Sequence, residues 1–69
     1  MMKVIKFVST PEDKYYQQQY VLDDGSHILI SDKWGTDYMQ HGKIVPQKNH
    51  RVRYAMNQAL QSFLKSQAV

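Results

Sequence analysis

Two apolar-bearing runs flank Asp23-Asp24-Gly25, the composition of a β-hairpin and its turn. The length of the turn decides which side chains share a face. A loop of Asp24 and Gly25 alone would set Leu22 opposite His27 and Gln19 opposite Ile30, dividing the apolar residues between both faces. A type I turn at Asp23-Asp24, followed by Gly25 in the left-handed conformation, instead pairs Leu22 with Ser26, Tyr20 with Ile28 and Gln18 with Ile30. Tyr16, Tyr20, Leu22, Ile28 and Ile30 then share one face, and Gln17, Gln19, Val21, His27, Leu29 and Ser31 the other. This is the expected register, because a slip of one residue would turn the apolar set into water.

The helical period is as clear at the other end of the chain. From His50 to Gln67, Val52, Ala55, Met56, Ala59, Leu60, Phe63 and Leu64 recur at spacings of three and four, one apolar stripe that must dock on the sheet. Asn49 is placed to cap this helix. Arg53, Asn57, Gln58, Gln61 and Lys65 form its polar side. Met2 to Thr10 alternates imperfectly, with Val4 and Val8 on one side and Ile5 and Phe7 on the other, as in a strand that is central or covered on both faces. Pro11 ends it, and Glu12-Asp13-Lys14 connects it back antiparallel to the hairpin. Between Lys33 and Val45 no period is sustained. Thr36 could cap a short helical turn ended by Gly42, or a loop could lead into a short strand, Lys43-Ile44-Val45, stopped by Pro46. Trp34 reads either as a seal on one edge of the core or as an exposed anchor for a partner. The fold class is therefore α+β: a small antiparallel sheet made of a strand and a β-hairpin, with room for a short extra strand, packed by a C-terminal α-helix.

With 69 residues the chain has room for a single domain and one small core. Cysteine is absent, which removes disulfides and thiol chemistry and fits a reducing cytoplasm. Lys3 and Lys6 interrupt the N-terminal apolar run, leaving it too short and too broken for a signal peptide or a membrane span. The formal charge of +3 and pI near 9.3 permit contact with nucleic acid or with an acidic protein surface and require neither.

Chemistry-bearing constellations are scarce. His27, His41 and His50 lack metal-site spacing. Ser26 and His27 are neighbours in a strand and point to opposite faces. The Asp23-Asp24 pair is turn chemistry. No enzyme, metal or cofactor is expected. Two surfaces are candidates for binding. Lys43, Lys48, Arg51 and Arg53, four of the nine positive charges, gather around the helix N-terminus, where cations oppose the helix dipole; they read as an ordinary solvated face or as an anion or nucleic-acid contact. Gln17, Gln19, Val21, His27 and Leu29 lie on the sheet face that a single helix leaves uncovered, mixed as in a modest protein interface or as in a plain amphipathic outer face.

Met2-Lys3-x-Ile5-Lys6-x-x-Ser9-Thr10, a tyrosine about six residues on, Gly25-Ser26-x-Ile28, and Ala55-Met56-Asn57 with Arg51 four residues before the alanine resemble a small phage anti-CRISPR family that inhibits the type I-F CRISPR surveillance complex. The resemblance implies an antiparallel sheet with helices and a non-enzymatic protein in the cytoplasm of a bacterial host. It also implies binding to the CRISPR-Cas backbone subunits that present the guide RNA, and a block of target DNA hybridisation by occupation of protein surface. It covers the first thirty residues and part of the last helix, while Ser31 to His50 is shorter and aligns poorly. The family contacts its target partly through exposed tyrosines and an acid. Here Phe7 stands where one tyrosine is expected and Leu22 where another is, so neither hydroxyl carries over. The protein-binding anchors expected on this reading are Phe7, Tyr15, Gln19, Val21, Leu29 and Arg53. The alternatives are a small basic nucleic-acid-binding protein using Lys43, Lys48, Arg51 and Arg53, and a homodimeric module joined through the uncovered sheet face.

Overall fold

A computed structural model describes residues 2–67. Five strands, β1 (Val4–Ser9), β2 (Gln18–Leu22), β3 (His27–Ser31), β4 (Gly35–Gln40) and β5 (Lys43–Ile44), precede one helix, α1 (His50–Gln67). The strands form one antiparallel sheet in chain order, and α1 lies against one face of it.

The central hairpin has the expected register. Tyr20 is across from Ile28 and Gln18 from Ile30. Gly25 has φ 88°, its N–H donates to the Leu22 carbonyl at 3.0 Å, and the Leu22 N–H donates to the Ser26 carbonyl at 2.8 Å. The turn closes because glycine alone takes that φ without a Cβ penalty.

β1 departs from expectation. It is an edge strand, not a central one, and its two apolar sides come from a bulge. Val4 pairs with Leu22 but Lys6 pairs with Val21, so Ile5 is the extra residue. Alternation restarts beyond it. Val4 and Phe7 both fall on the helix side, while Lys6 and Val8 fall on the other. Ile5 itself is 60% exposed.

The middle of the chain is neither a helical turn nor a loop. Gly35 (φ 87°) lies opposite Ser31 where β4 begins, and the Ser31 hydroxyl oxygen accepts the N–H groups of Lys33 and Trp34. At the far end His41 (φ 55°) and Gly42 (φ 75°) form a two-residue hairpin turn with Gln40 facing Lys43, the positive-φ pair that such turns require. The short strand Lys43–Ile44 is present, and Val45 just beyond it is buried.

Tyr20, Leu22, Ile28, Val45, Met56, Ala59 and Leu60 form the core, with Val4, Ile30, Tyr38, Val52 and Phe63 packed around it. The Tyr20 ring lies between Phe7, at 4.9 Å, and Phe63, met edge-on at 5.8 Å. Leu64 was expected on the buried stripe and is exposed. At 100° per residue it sits about 80° round the helix from Met56, at the rim of the stripe. Asn49 caps α1 as expected, its side-chain oxygen 3.4 Å from the Val52 nitrogen.

Candidate interaction surfaces

Register alone composes the sheet face turned away from α1. Lys6, Val21, His27, Met39 and Ile44 form one row across the five strands, and Val8, Gln19, Leu29 and Asp37 form the next. Val21, Leu29 and Gln19 therefore stand outside the core, as expected, joined by three residues that the missed strand β4 and its neighbour supply: Asp37, Met39 and Ile44. Gln19, His27 and Asp37 are partnered. Gln19 Nε2 lies 2.7 Å from His27 Nδ1, so a neutral His27 accepts there and carries its proton on Nε2. Tyr16 was expected on the helix side. Its hydroxyl instead donates to Asp37 Oδ2 at 2.6 Å, because the chain is irregular before β2 and the two-residue alternation does not reach back to Tyr16. That bond to Asp37, with burial and the nearby negative charge adding to it, raises the Tyr16 pKa above its ordinary value. A shallow hollow of about 500 Å³ at one end of this face is lined by Gln19, Asp24, His27, Leu29, Met39 and His41 among others. Among the described residues no group of three or more His, Asp or Glu is placed to hold a metal ion.

The end of the sheet where β1 turns into β2 carries a second surface. Trp34 does not seal the core: it is 61% exposed and stacks on Tyr15, itself 60% exposed, with ring centroids 5.8 Å apart and planes at 23°. The Asp13 carboxylate accepts the N–H groups of Tyr16 and Tyr15 at 3.0 and 2.7 Å, and these bonds hold its pKa below the ordinary carboxylate value. Gln17 ties the two loops together, its Nε2 donating to the Asp13 carbonyl and its Oε1 accepting the Asp32 N–H. Both rings are thus carried on loops bonded to each other. Phe7, another expected anchor, packs its ring on Tyr20 from the helix side and remains 44% exposed.

The basic group at the helix start is divided. Arg53, expected on a water-facing side of α1, lies with its guanidinium 4.9 Å from the centroid of the Tyr38 ring, a cation–π contact with the sheet. β4 supplies Tyr38, which is why a reading without that strand left Arg53 free. Lys43, Lys48 and Arg51 are exposed. Beside them Tyr38, Gln47, His50, Arg53, Tyr54 and Asn57 line a groove of about 440 Å³, in which Tyr54 is an exposed aromatic that the helical stripe gave no reason to notice.

The fold and its surfaces define a small α+β protein, an antiparallel five-stranded meander with one C-terminal helix. Among the described residues no helix is long and apolar enough to cross a membrane. Comparison of the chain with protein-family models, with curated proteins and with solved structures finds no match in any of the three.

Proposed function

We propose that this chain acts by binding rather than by catalysis, as a phage-encoded inhibitor that occupies the backbone subunits of the type I-F CRISPR surveillance complex in the bacterial cytoplasm and so blocks target DNA. The observation that carries the binding reading is the exposed Tyr15–Trp34 stack. Interface energy concentrates in a few tryptophan, tyrosine and arginine anchors, and large rings with few rotatable bonds lose little freedom when a partner covers them. These two rings are already held, through Asp13, Gln17 and Ser31. Phe7, at the position where the resembled family has a contacting tyrosine, adds a half-exposed ring. Gln19, Val21 and Leu29 stand on the sheet face opposite α1 and are left out of this contact. Arg53 is engaged with Tyr38, so we assign it a smaller share of the contact.

The residues that support the resemblance most directly are scaffold positions. Gly25 closes the hairpin, Ser26, Ile28 and Met56 are buried, and the Lys3 N–H and carbonyl both bond Asp23 beside that turn. They serve the scaffold of this chain, and its target is decided by the surface.

The test is binding of wild-type protein and of Trp34→Ala and Tyr15→Ala to purified type I-F surveillance complex, with thermal unfolding of each variant. Loss of an anchor worth ~2 kcal/mol weakens affinity roughly 30-fold, and both melting temperatures should stay near wild type because both rings lie outside the core. Wild-type protein that does not bind the complex ends the inhibitor reading; binding that ignores both substitutions ends the anchor assignment.

The exposed Lys43, Lys48 and Arg51 beside the start of α1 favour nucleic acid as a second reading. Contact with DNA there would weaken steeply with salt, since each neutralised phosphate releases counterions. The inhibitor reading expects no appreciable DNA affinity at physiological salt. Micromolar or tighter binding with a steep salt slope would replace it.

A further inference from the structure

Among the described residues nothing covers the sheet face opposite α1. We propose that a second copy of this chain covers it, the two sheets packing face to face about a two-fold axis that lies between them and runs along the strands.

The apolar content of the face comes first. Val21, Met39 and Ile44 share one cross-strand row, with Leu29 beside them in the next, and Ile44 is 52% exposed. Gln19 and His27 already bond each other, which lowers the cost of covering them, while the Gln19 carbonyl oxygen and the His27 Nε2–H take partners across the interface. The charges are self-complementary. Lys6 stands on β1 and Asp37 on β4, three strand spacings apart at about 4.8 Å each, too far to neutralise one another within a copy. A two-fold axis along the strands exchanges the two sides of the sheet and brings each Lys6 over the β4 side of its partner, where Asp37 stands. Such a pairing is isologous and closes at two copies. The size also fits. The molecule measures 31 × 31 × 17 Å; two layers packed about 10 Å apart account for the short dimension, so the broad side can supply the ~800 Å² per partner of a standard interface. Two sheets in aligned packing sit about 10 Å apart with side chains interdigitated. The Tyr15–Trp34 end belongs to the loops, so this inference does not depend on the identity of the inhibitor's target.

Sedimentation velocity and light scattering on the full chain, from low micromolar to submillimolar concentration, test the proposal. The expected result is a rise from the 8.1 kDa monomer to twice that mass, with a melting temperature that climbs over the same range. Leu29→Asp should hold the chain at monomer mass with the melting temperature of dilute wild-type protein, and Leu64→Asp, on the rim of α1, should still dimerise. Ile44→Asp, at the most exposed apolar position of the face, gives the same reading should Leu29→Asp fail to fold. Monomer mass at every concentration overturns the proposal, as does a dimer that survives Ile44→Asp and a folded Leu29→Asp.

Discussion

Leu60 and Leu64 lie one turn apart on α1 with the same side chain, and the structure gives them opposite fates. Leu60 is 5% exposed, among Met56, Ala59 and the strand residues of the core. Leu64 is 40% exposed. Leu60→Ala removes roughly three CH2-equivalents from a dry site at ~0.8 kcal/mol each, and the cavity left behind adds to the loss, within the ~2–5 kcal/mol range of such changes. Met56 adjoins the gap and is a flexible side chain able to slump into it, which places the expected cost at about 2–3 kcal/mol. A domain of this size holds ~0.05–0.15 kcal/mol per residue, roughly 3–10 kcal/mol in all, so this one substitution should bring a marginal fold close to its midpoint. Leu64→Ala should cost under ~1 kcal/mol, since much of its side chain already meets water. The assay is urea unfolding followed by far-ultraviolet circular dichroism, with all variants at one protein concentration. Equal costs for the two leucines would refute the docking of α1 described above.

Gly25→Ala should cost ~1–2 kcal/mol through its left-handed φ, because no atom within 4 Å would meet the added methyl; a neutral substitution in the same urea assay would contradict the turn. The Tyr16 pKa is raised above its ordinary 10.0 by the bond to Asp37, so that bond's contribution is full below about pH 10 and fades as pH climbs through the folded value. In an absorbance titration Tyr16→Phe should remove the part of the phenolate signal that lies above the ordinary tyrosine range; an unchanged curve would mean that the bond is absent. The Asp13 pKa is lowered by the N–H groups of Tyr16 and then Tyr15, so its contribution is present above about pH 3.8 and fades as pH falls through the folded value. Acidification over that window should alter Trp34 fluorescence, since Asp13 orders the loop that carries the ring stacked on Trp34, and Asp13→Asn should abolish that pH response.

The central hairpin and the helix were legible in the sequence for the same reason: each offers one arrangement that gathers its apolar residues. Only the three-residue loop puts Tyr20, Leu22, Ile28 and Ile30 on one face, and only a 3.6-residue period aligns Val52, Met56, Ala59, Leu60 and Phe63. β4 has no such signal. Tyr38 is its one large apolar residue on the helix side, and Gly35 and Gly42, which looked like punctuation around a helical turn, are turn residues at its two ends. His41-Gly42 between Tyr38-Met39-Gln40 and Lys43-Ile44-Val45 was the pattern that could have revealed the hairpin. The bulge at Ile5 was hidden because an inserted residue imitates a strand with two apolar faces. At the site, Val21 and Leu29 were correctly placed outside the core by register. The Tyr15–Trp34 stack, the turn of Tyr16 toward Asp37 and the capture of Arg53 by Tyr38 all depend on contacts with β4 or its flanking loop, and could not be read while that strand was missing.

The proposed inhibition by occupation of a guide-RNA complex is open to a direct test in target-DNA binding by that complex. Purified type I-F surveillance complex is titrated with this protein and the retention of a matched, labelled DNA target is measured. On the proposed reading DNA binding should be lost at stoichiometric protein, and Trp34→Ala should require a concentration roughly 30-fold higher for the same loss. Target-DNA binding that is undiminished at saturating wild-type protein would contradict it.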